Sequence, residues 1–353
     1  MTRSVQVGCV PVGGGAPISI QSMTNTDTRD IAATSEQIRR LDAAGCEIIR
    51  MSVYDAACAQ AIETYKQVTR RPLVADIHFD HRLAIAAAEH GVDKLRINPG
   101  NIGGMDKVRR VCDCAKAHHL PIRVGVNSGS VERDLLDKYG GPTPEAMVES
   151  ALNHVRLLEQ AGFSDTIISL KASNVPNTLA AYQLIARQVD YPLHVGVTEA
   201  GMDLSGVVKS AIGIGALLAQ GIGDTIRVSL TGDPVPEVAA ALEILRALGL
   251  RASGVNIVSC PTCGRTQVPV EQWVRQLKAR TAHITTPLTV AVMGCVVNGP
   301  GESREADLGV AGGKDKGAIF AKGKLVATLP AEGILDALIE RIEAEVAARE
   351  GRV

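Results

Sequence analysis

From residue 18 onward, short runs rich in isoleucine, valine and leucine alternate with longer stretches whose apolar positions recur at helical spacing, the mark of successive βα units and a parallel sheet. Eight such runs stand out, at residues 18–23, 47–52, 73–77, 94–97, 122–126, 166–170, 193–197 and 225–228. The stretches between them have helix length. Those at 34–44, 84–90, 144–161 and 234–248 run into Gly45, Gly91, Gly162 and Gly249, the residue type that most easily takes the left-handed turn ending a helix. Eight βα units in about 230 residues match an α/β fold of the TIM (β/α)8 barrel type better than an open doubly wound sheet. After Gly249 the rhythm breaks, and the remaining hundred or so residues hold at most two good helices, the last from 331 to about 349. Residues 1–250 are therefore expected to form the barrel and 257–353 a smaller second α/β domain.

Composition narrows what such a chain does. With 37 Lys+Arg against 38 Asp+Glu the formal charge is -1, so no global field points to nucleic acid or membrane, and any anion site must be local. Aromatic residues are 3% and Trp273 is the single tryptophan, which removes the stacking platforms of single-strand binders. Arg3 is followed by Gly8, Pro11, the triple glycine Gly13-Gly14-Gly15 and Pro17, so no uninterrupted apolar leader is expected; the apolar stretch 211–219 carries two glycines and is too short for a membrane span. The expectation is a cytoplasmic protein with no membrane and no nucleic-acid partner.

In a barrel of this kind, side chains at the C-terminal ends of the strands face the active site. Those addresses hold Arg50, Asp76, Arg96 with Asn98, Arg123 with Asn127, Lys171, Glu199, and Arg227 with Ser229. Four arginines and a lysine recurring at one structural address predict a compact polyanionic substrate, a diphosphate, because the guanidinium fork pairs bidentately with phosphate oxygens. The segment 98–104 offers backbone N–H donors at a helix start or forms an ordinary turn. No GxxxxGK[ST] or GxGxxG motif is present, so nucleotide loops are unsupported. Glu199, in His194-Val195-Gly196-Val197-Thr198-Glu199, is an acid placed among these cations and suits proton transfer, with a structural salt bridge as the plainer role. Lys171 keeps a rival open: a lysine at a strand end forms Schiff bases in aldolase-type barrels.

Cys9, Cys46, Cys58, Cys112 and Cys114 lie in mixed apolar segments and are expected to be small buried hydrophobes. Cys260-Pro261-Thr262-Cys263 and Cys295, after 31 intervening residues, form a different set. A structural zinc site usually takes two CxxC-like pairs, and the second is missing here. Three thiolates suit a [4Fe–4S] cluster with one special iron, zinc and plain thiols remaining as alternatives. Glu302, beyond the Asn298-Gly299-Pro300-Gly301 bend, is the nearest carboxylate for a fourth, more displaceable ligand.

These residues carry a resemblance that runs nearly end to end. It rests on Pro17-Ile18-Ser19-Ile20-Gln21-Ser22-Met23-Thr24-Asn25-Thr26, Gly196-Val197-Thr198-Glu199-Ala200-Gly201, Cys260-Pro261-Thr262-Cys263-Gly264-Arg265 and Gly294-Cys295-Val296-Val297-Asn298-Gly299-Pro300-Gly301-Glu302. On them the chain resembles the bacterial 4-hydroxy-3-methylbut-2-en-1-yl diphosphate synthases of the methylerythritol phosphate isoprenoid pathway. The resemblance implies a substrate-binding TIM barrel followed by a smaller α/β iron–sulfur domain whose [4Fe–4S] cluster is held by Cys260, Cys263, Cys295 and Glu302. It implies reductive ring opening and dehydration of 2-C-methyl-D-erythritol 2,4-cyclodiphosphate, with flavodoxin or ferredoxin as electron donor. It places the catalytic acid at Glu199 and substrate contacts at Arg50, Arg96, Asn98, Arg123, Asn127, Lys171, His194, Arg227 and Ser229. It also implies a homodimer in which the cluster domain of one subunit covers the barrel mouth of the other. Ser303 departs from the alanine usual there, and a neighbouring hydroxyl tunes a cluster's potential without changing its ligands. The alternative is a Schiff-base aldolase built on Lys171 with a structural zinc domain.

Overall fold

The structure, a computed structural model, describes residues 1–252, 254–295 and 305–351. It divides into two compact units, Met1–Leu250 and Arg251–Val353. In the first, β3 (Ser19–Met23), β4 (Ile48–Ser52), β5 (Leu73–Asp76), β6 (Lys94–Ile97), β7 (Ile122–Asn127), β8 (Thr166–Lys171), β9 (His194–Val195) and β10 (Thr225–Ile226) are all parallel, in the order β8-β7-β6-β5-β4-β3-β10-β9. A bridge between Ile168 and Leu193 joins the two ends of that order, so the eight-stranded sheet closes into the expected barrel. The last two strands are shorter than their apolar runs. Past them the chain leaves the ladder to form the mouth, where a Cβ on Gly196 would lie only 2.5 Å from the Arg227 carbonyl oxygen.

Preceding the barrel is an unforeseen hairpin, β1 (Val5–Val7) and β2 (Val10–Val12). Its loop is Gly8-Cys9, with Gly8 at φ +53°, the conformation a two-residue hairpin turn requires at its first position. Val5, Val7 and Val12 pack against Ile48, Val74 and Ile167 and close the N-terminal end of the barrel with an apolar plug. Cys9 is exposed at the hairpin tip, which corrects the expectation of burial; Cys46, Cys58 and Cys112 are buried and Cys114 is partly so.

The helix stops are local chemistry. The helices α1 (Ile31–Ala43), α3 (His81–Glu89), α7 (Pro144–Gln160) and α10 (Val235–Ala247) end one residue before a cap that is followed by Gly45, Gly91, Gly162 or Gly249. In each case the next N–H reaches back across the last turn: Cys46 to Leu41, Val92 to Ala87, Phe163 to Leu158 and Leu250 to Leu245, at 2.9–3.2 Å. The helix α5 (Met105–Ala117) ends in the same way, with Leu120 N–H on the Ala115 carbonyl, but its left-handed residue is His119 at φ 54°. A Cβ in that region costs about 1 kcal/mol relative to glycine. The exposed substitution His119→Gly is therefore expected to raise the thermal midpoint of the barrel by about 3 °C; scanning calorimetry showing no rise would remove the backbone explanation.

The second unit is a five-stranded sheet in the order β11 (Val255–Ser259), β12 (Leu288–Met293), β13 (Leu308–Gly312), β14 (Lys316–Ala321), β15 (Lys324–Pro330), its first three strands parallel and the last two antiparallel. The helices α11 (Val270–Arg280) and α12 (Ile334–Glu350) cover one face, burying Trp273, Leu277, Leu338 and Ile342 against Val290, Val310 and Ile319. The other face carries a smaller cluster of Ala291, Met293, Ala311 and Phe320, against which Cys260 packs. No helix among the described residues is long and apolar enough to cross a membrane.

Candidate functional site

A strand presents alternate side chains to opposite faces, and the ladder registers show which ones share the barrel interior. Neighbours across the sheet include Met23 with Arg50, Asp76 with Arg96, Arg96 with Arg123, and Asn127 with Lys171. Apolar at the plugged end, the interior becomes cationic toward the C-terminal ends of the strands. There a cavity of about 200 Å3 is lined by Arg50, Asp76, His78, Arg96, Arg123, Asn127, Lys171, Thr198, Arg227 and Ser229. Seven of the ten residues expected at the site on sequence grounds thus share one cavity.

Each cation is held by a different device. Arg96 donates to Asp76 Oδ1 at 3.1 Å and to the Gly125 carbonyl at 2.7 Å. Arg50 Nε lies 3.7 Å from Asp76 Oδ2, and its Nε and Nη2 point at the Met23 thioether, 3.0 and 2.8 Å away. Arg227 donates through Nε and Nη2 to the two oxygens of Glu237, both at 3.3 Å. The Glu237 carboxylate, contributed by α10 and 2% exposed, also accepts the Ser22 hydroxyl and the Leu230 N–H, so it steadies the loop that carries Ser229. Arg123 is 1% exposed and donates to Ser169; its Nε and Nη2 have no partner among the described residues.

Burial works against every charge here, and positive charge exceeds negative. Burial would raise the Asp76 carboxyl, yet Arg50, Arg96, His78 and Arg123 outweigh it and hold the group at about 2. Burial lowers Arg50 to about 10, with Asp76 opposing and Arg227 and Arg96 reinforcing the fall. Burial and neighbouring guanidinium groups depress Arg123 and Lys171 far below their ordinary values. Such a cavity is preorganised for an anion that supplies the missing negative charge and accepts the idle N–H groups.

Three of the ten expected site residues stand elsewhere. Asn98 is buried, and its side-chain oxygen accepts the Gly125 N–H at 3.0 Å, a brace between β6 and β7. His194 is fully buried below the cavity, its Nε2 3.3 Å from Lys171 Nζ. Glu199 is exposed on the loop beyond β9, next to the cavity-lining Thr198 and in the left-handed conformation at φ 51°; among the described residues it makes no ion pair with the cations it was expected to join. Two of the N–H donors expected of residues 98–104 are in use: within the short helix α4 (Pro99–Ile102), Gly100 donates to His154 Nδ1 and Asn101 to the Asn98 carbonyl.

Other contributors were passed over in the sequence. Lys94 is fully buried inside the barrel with its Nζ donating to Gln21 Oε1 at 3.2 Å, and its place two residues before Arg96 on one strand was the available signal. His78 sits one alternation beyond Asp76, and Met23 is the ladder neighbour of Arg50. Gly125 and Gly196 serve by lacking a side chain: a Cβ at Gly125 would lie 2.7 Å from Arg96 Nε and 3.2 Å from Arg123 Nη1, and one at Gly196 would lie 2.9 Å from Lys171 Nζ.

In the second unit, Cys260 and Cys295 follow the C-terminal ends of the adjacent parallel strands β11 and β12, whose ladder pairs Ser259 with Val292. Cys260 Sγ accepts the Thr262 N–H at 3.4 Å. The backbone N–H and guanidinium of Arg265 hold the Cys263 thiol below its ordinary value, and the same guanidinium is within electrostatic reach of Cys295 and Cys260. None of the three is in a disulfide. Soft sulfur donors supplied with N–H groups and a cation suit thiolate ligation of an iron–sulfur cluster. Glu302 and Ser303 lie outside the described residues. Among the described residues no three His, Cys, Asp or Glu side chains are grouped to hold a metal ion by themselves.

Comparison with known proteins gives matches over most of the chain. Residues 2–242 match the family model described as GcpE TIM-barrel domain, and residues 256–344 the GcpE protein C-terminal domain. Proteins named 4-hydroxy-3-methylbut-2-en-1-yl diphosphate synthase (flavodoxin) are similar throughout. That of Caldanaerobacter subterraneus subsp. tengcongensis is 57% identical over 343 residues, and that of Geobacter sulfurreducens 58% over 342, each alignment covering 97% of both chains. Among solved structures, the spore coat polysaccharide biosynthesis protein spsE of Bacillus subtilis aligns with 70% of this chain and 73% of its own at TM-score 0.50 and 10% identity, a likeness of fold alone.

Proposed function

Because the chain belongs to the GcpE family, that of the 4-hydroxy-3-methylbut-2-en-1-yl diphosphate synthases, we propose that its barrel mouth seats the diphosphate substrate and that the thiols of its second unit hold the redox centre. The protein is an oxidoreductase of isoprenoid precursor biosynthesis. It opens the ring of 2-C-methyl-D-erythritol 2,4-cyclodiphosphate reductively, with dehydration to the allylic diphosphate and flavodoxin as electron donor. The Schiff-base alternative is not favoured, since the relatives catalyse a flavodoxin-dependent reaction.

The observation that carries the site assignment is the concentration of Arg50, Arg96, Arg123, Lys171 and Arg227 around one small cavity whose lining holds a single carboxylate, Asp76. The cations neutralise the two phosphates, and Asn127 and Ser229 add neutral hydrogen-bonding groups at the rim. Glu237 fixes the fork of Arg227, and Asp76 fixes those of Arg96 and Arg50, so the guanidinium groups are oriented before substrate arrives. Glu199 is the proposed acid: it stands at the mouth beside Thr198 and in a backbone conformation that costs free energy, as functional positions often are. Asn98 and His194 act from below, as supports for β7 and Lys171.

Cys260, Cys263, Cys295 and Glu302 are the proposed ligands of a [4Fe–4S] cluster. When bound, such a cluster supplies electrons from flavodoxin to the substrate. We further infer that the enzyme works as a homodimer in the cytoplasm.

The test compares anaerobically purified wild type with Glu199→Gln for iron, acid-labile sulfide, substrate affinity and turnover. About four iron and four sulfide per chain are expected in both. The variant should keep its affinity and lose turnover roughly a hundredfold. Zinc in place of iron would overturn the cluster, and full turnover in the variant would overturn the acid.

A further inference from the structure

Lys171 Nζ and His194 Nε2 face each other at 3.3 Å, both side chains buried in the barrel, so at most one of the two facing nitrogens carries a hydrogen along that line. His194 Nδ1 has no partner among the described residues, whereas the Tyr182 hydroxyl is spent on the His194 carbonyl. The pair is ringed by charge from every neighbouring element. Arg123 on β7, Arg50 on β4 and Arg227 after β10 are guanidinium groups, Lys94 on β6 is a further buried amine that burial and then Arg123 and Arg50 push well below its ordinary value, and the acids nearby, Glu237 of α10 and Asp76 of β5, are already engaged by arginines. Tyr182, on the helix α8 (Val175–Ile185), is held neutral by burial.

Resting on the reading of the mouth as the diphosphate site, we propose that the Lys171–His194 pair is a proton-uptake element, uncharged in the free enzyme and singly protonated once the cyclic diphosphate is bound. In the free site, burial opposes a further positive charge on either member, followed by Arg123, Arg227 and Arg50 for Lys171 and by Lys171 and then Arg123 for His194, driving both far below their ordinary values. The bound diphosphate reverses that balance, because Lys171 lines the cavity and an ammonium there gains an anionic partner. Lys171 is the member that contacts substrate; His194 accepts its hydrogen bond and is a positioning residue.

The chemistry of the substrate makes uptake measurable. Each phosphorus of the cyclic diphosphate carries one strongly acidic oxygen, so the ligand is a dianion at neutral pH with no group titrating nearby. Any proton exchanged on binding therefore belongs to the protein. Ring opening then leaves a terminal phosphate with one more negative charge, and a pair protonated beforehand meets that charge without waiting for a proton from solvent.

Oxidised holoenzyme, kept free of reductant so that no turnover occurs, is titrated calorimetrically with the cyclic diphosphate near pH 7.5 in non-phosphate buffers of different ionisation enthalpy. The slope of observed enthalpy against buffer ionisation enthalpy counts the protons; uptake of about one per site is expected. Lys171→Arg, whose guanidinium stays charged, should bind with a slope near zero. Lys171→Met serves the same purpose if arginine does not fit, and Lys94→Met should keep the wild-type slope. Binding by wild type with no buffer dependence overturns the proposal and leaves the substrate site standing. A slope that survives in Lys171→Arg and vanishes in Lys94→Met moves the proton to Lys94 and also overturns it. Absence of binding in wild type overturns the diphosphate reading itself, and the proposal with it.

Discussion

Substituting alanine at Gly125 is expected to lower kcat/KM about a thousandfold while leaving the iron content unchanged. The β7 backbone at this position is held on both sides, its N–H by Asn98 and its carbonyl by Arg96, so it has no freedom to retreat from a new methyl group. The methyl would meet Arg96 Nε at 2.7 Å and Arg123 Nη1 at 3.2 Å, distances at which the side chains must move. Two guanidinium groups leave the orientation in which they are proposed to face the diphosphate. Each charge-assisted contact contributes roughly 1.5–3 kcal/mol, so a combined loss of about 4 kcal/mol gives the thousandfold figure. Steady-state kinetics with iron analysis on the same preparation reads this out. A variant within threefold of wild type would mean that Arg96 and Arg123 do not need these positions, and the proposed seat of the diphosphate would be wrong.

Asp76→Asn should cost about 3 kcal/mol of stability, a fall of roughly 10 °C in the barrel's thermal midpoint. Asp76 is the carboxylate shared by Arg50 and Arg96, and a neutral amide there leaves two nearly buried guanidinium groups without their counter-charge. The wild type should show the same dependence through pH. Because the Asp76 carboxyl is held at about 2 in the folded protein, below its unfolded value near 4, its contribution is fully present above pH 4. As pH falls from 4 toward 2 roughly 2 kcal/mol should be lost, and Asp76→Asn should lack that part of the acid transition. The cyclic diphosphate, by replacing the missing negative charge, should recover more of the midpoint in the variant than it adds to wild type. Calorimetric scans with and without ligand test both statements, and a variant melting within 2 °C of wild type would show that the arginines do not depend on Asp76.

The site was legible to the extent that alternation and chain order carry information. Once eight βα units are recognised, the end of each strand is a known address, and Arg50, Arg96, Arg123, Asn127, Lys171, Arg227 and Ser229 could be read from it and do line one cavity. Glu237 could not, because it is a helix residue whose partner Arg227 is found only when α10 packs against the mouth. Lys94 was passed over because a lysine at the start of an apolar run looks like a solvated strand end, whereas closure of the barrel seals it inside with Gln21. Glu199 was expected among the cations as the end of the seventh strand, but the chain leaves the ladder after Val195 and carries it to the rim.

What the sequence determined by itself was everything set within a few residues: the strands and helices, the left-handed stops at Gly45, Gly91, Gly162 and Gly249, and the parity that turns a strand's arginines inward. Tertiary structure alone decided which charges meet. Closing β8 onto the segment before β9 brings Lys171 to His194, the β6–β7 ladder sets Arg123 beside Arg96, and the closed barrel buries all four side chains. In water those cations would be independent and screened; in the closed barrel their repulsion is much less screened, and that balance, absent from any local stretch of chain, prepares the mouth for an anion.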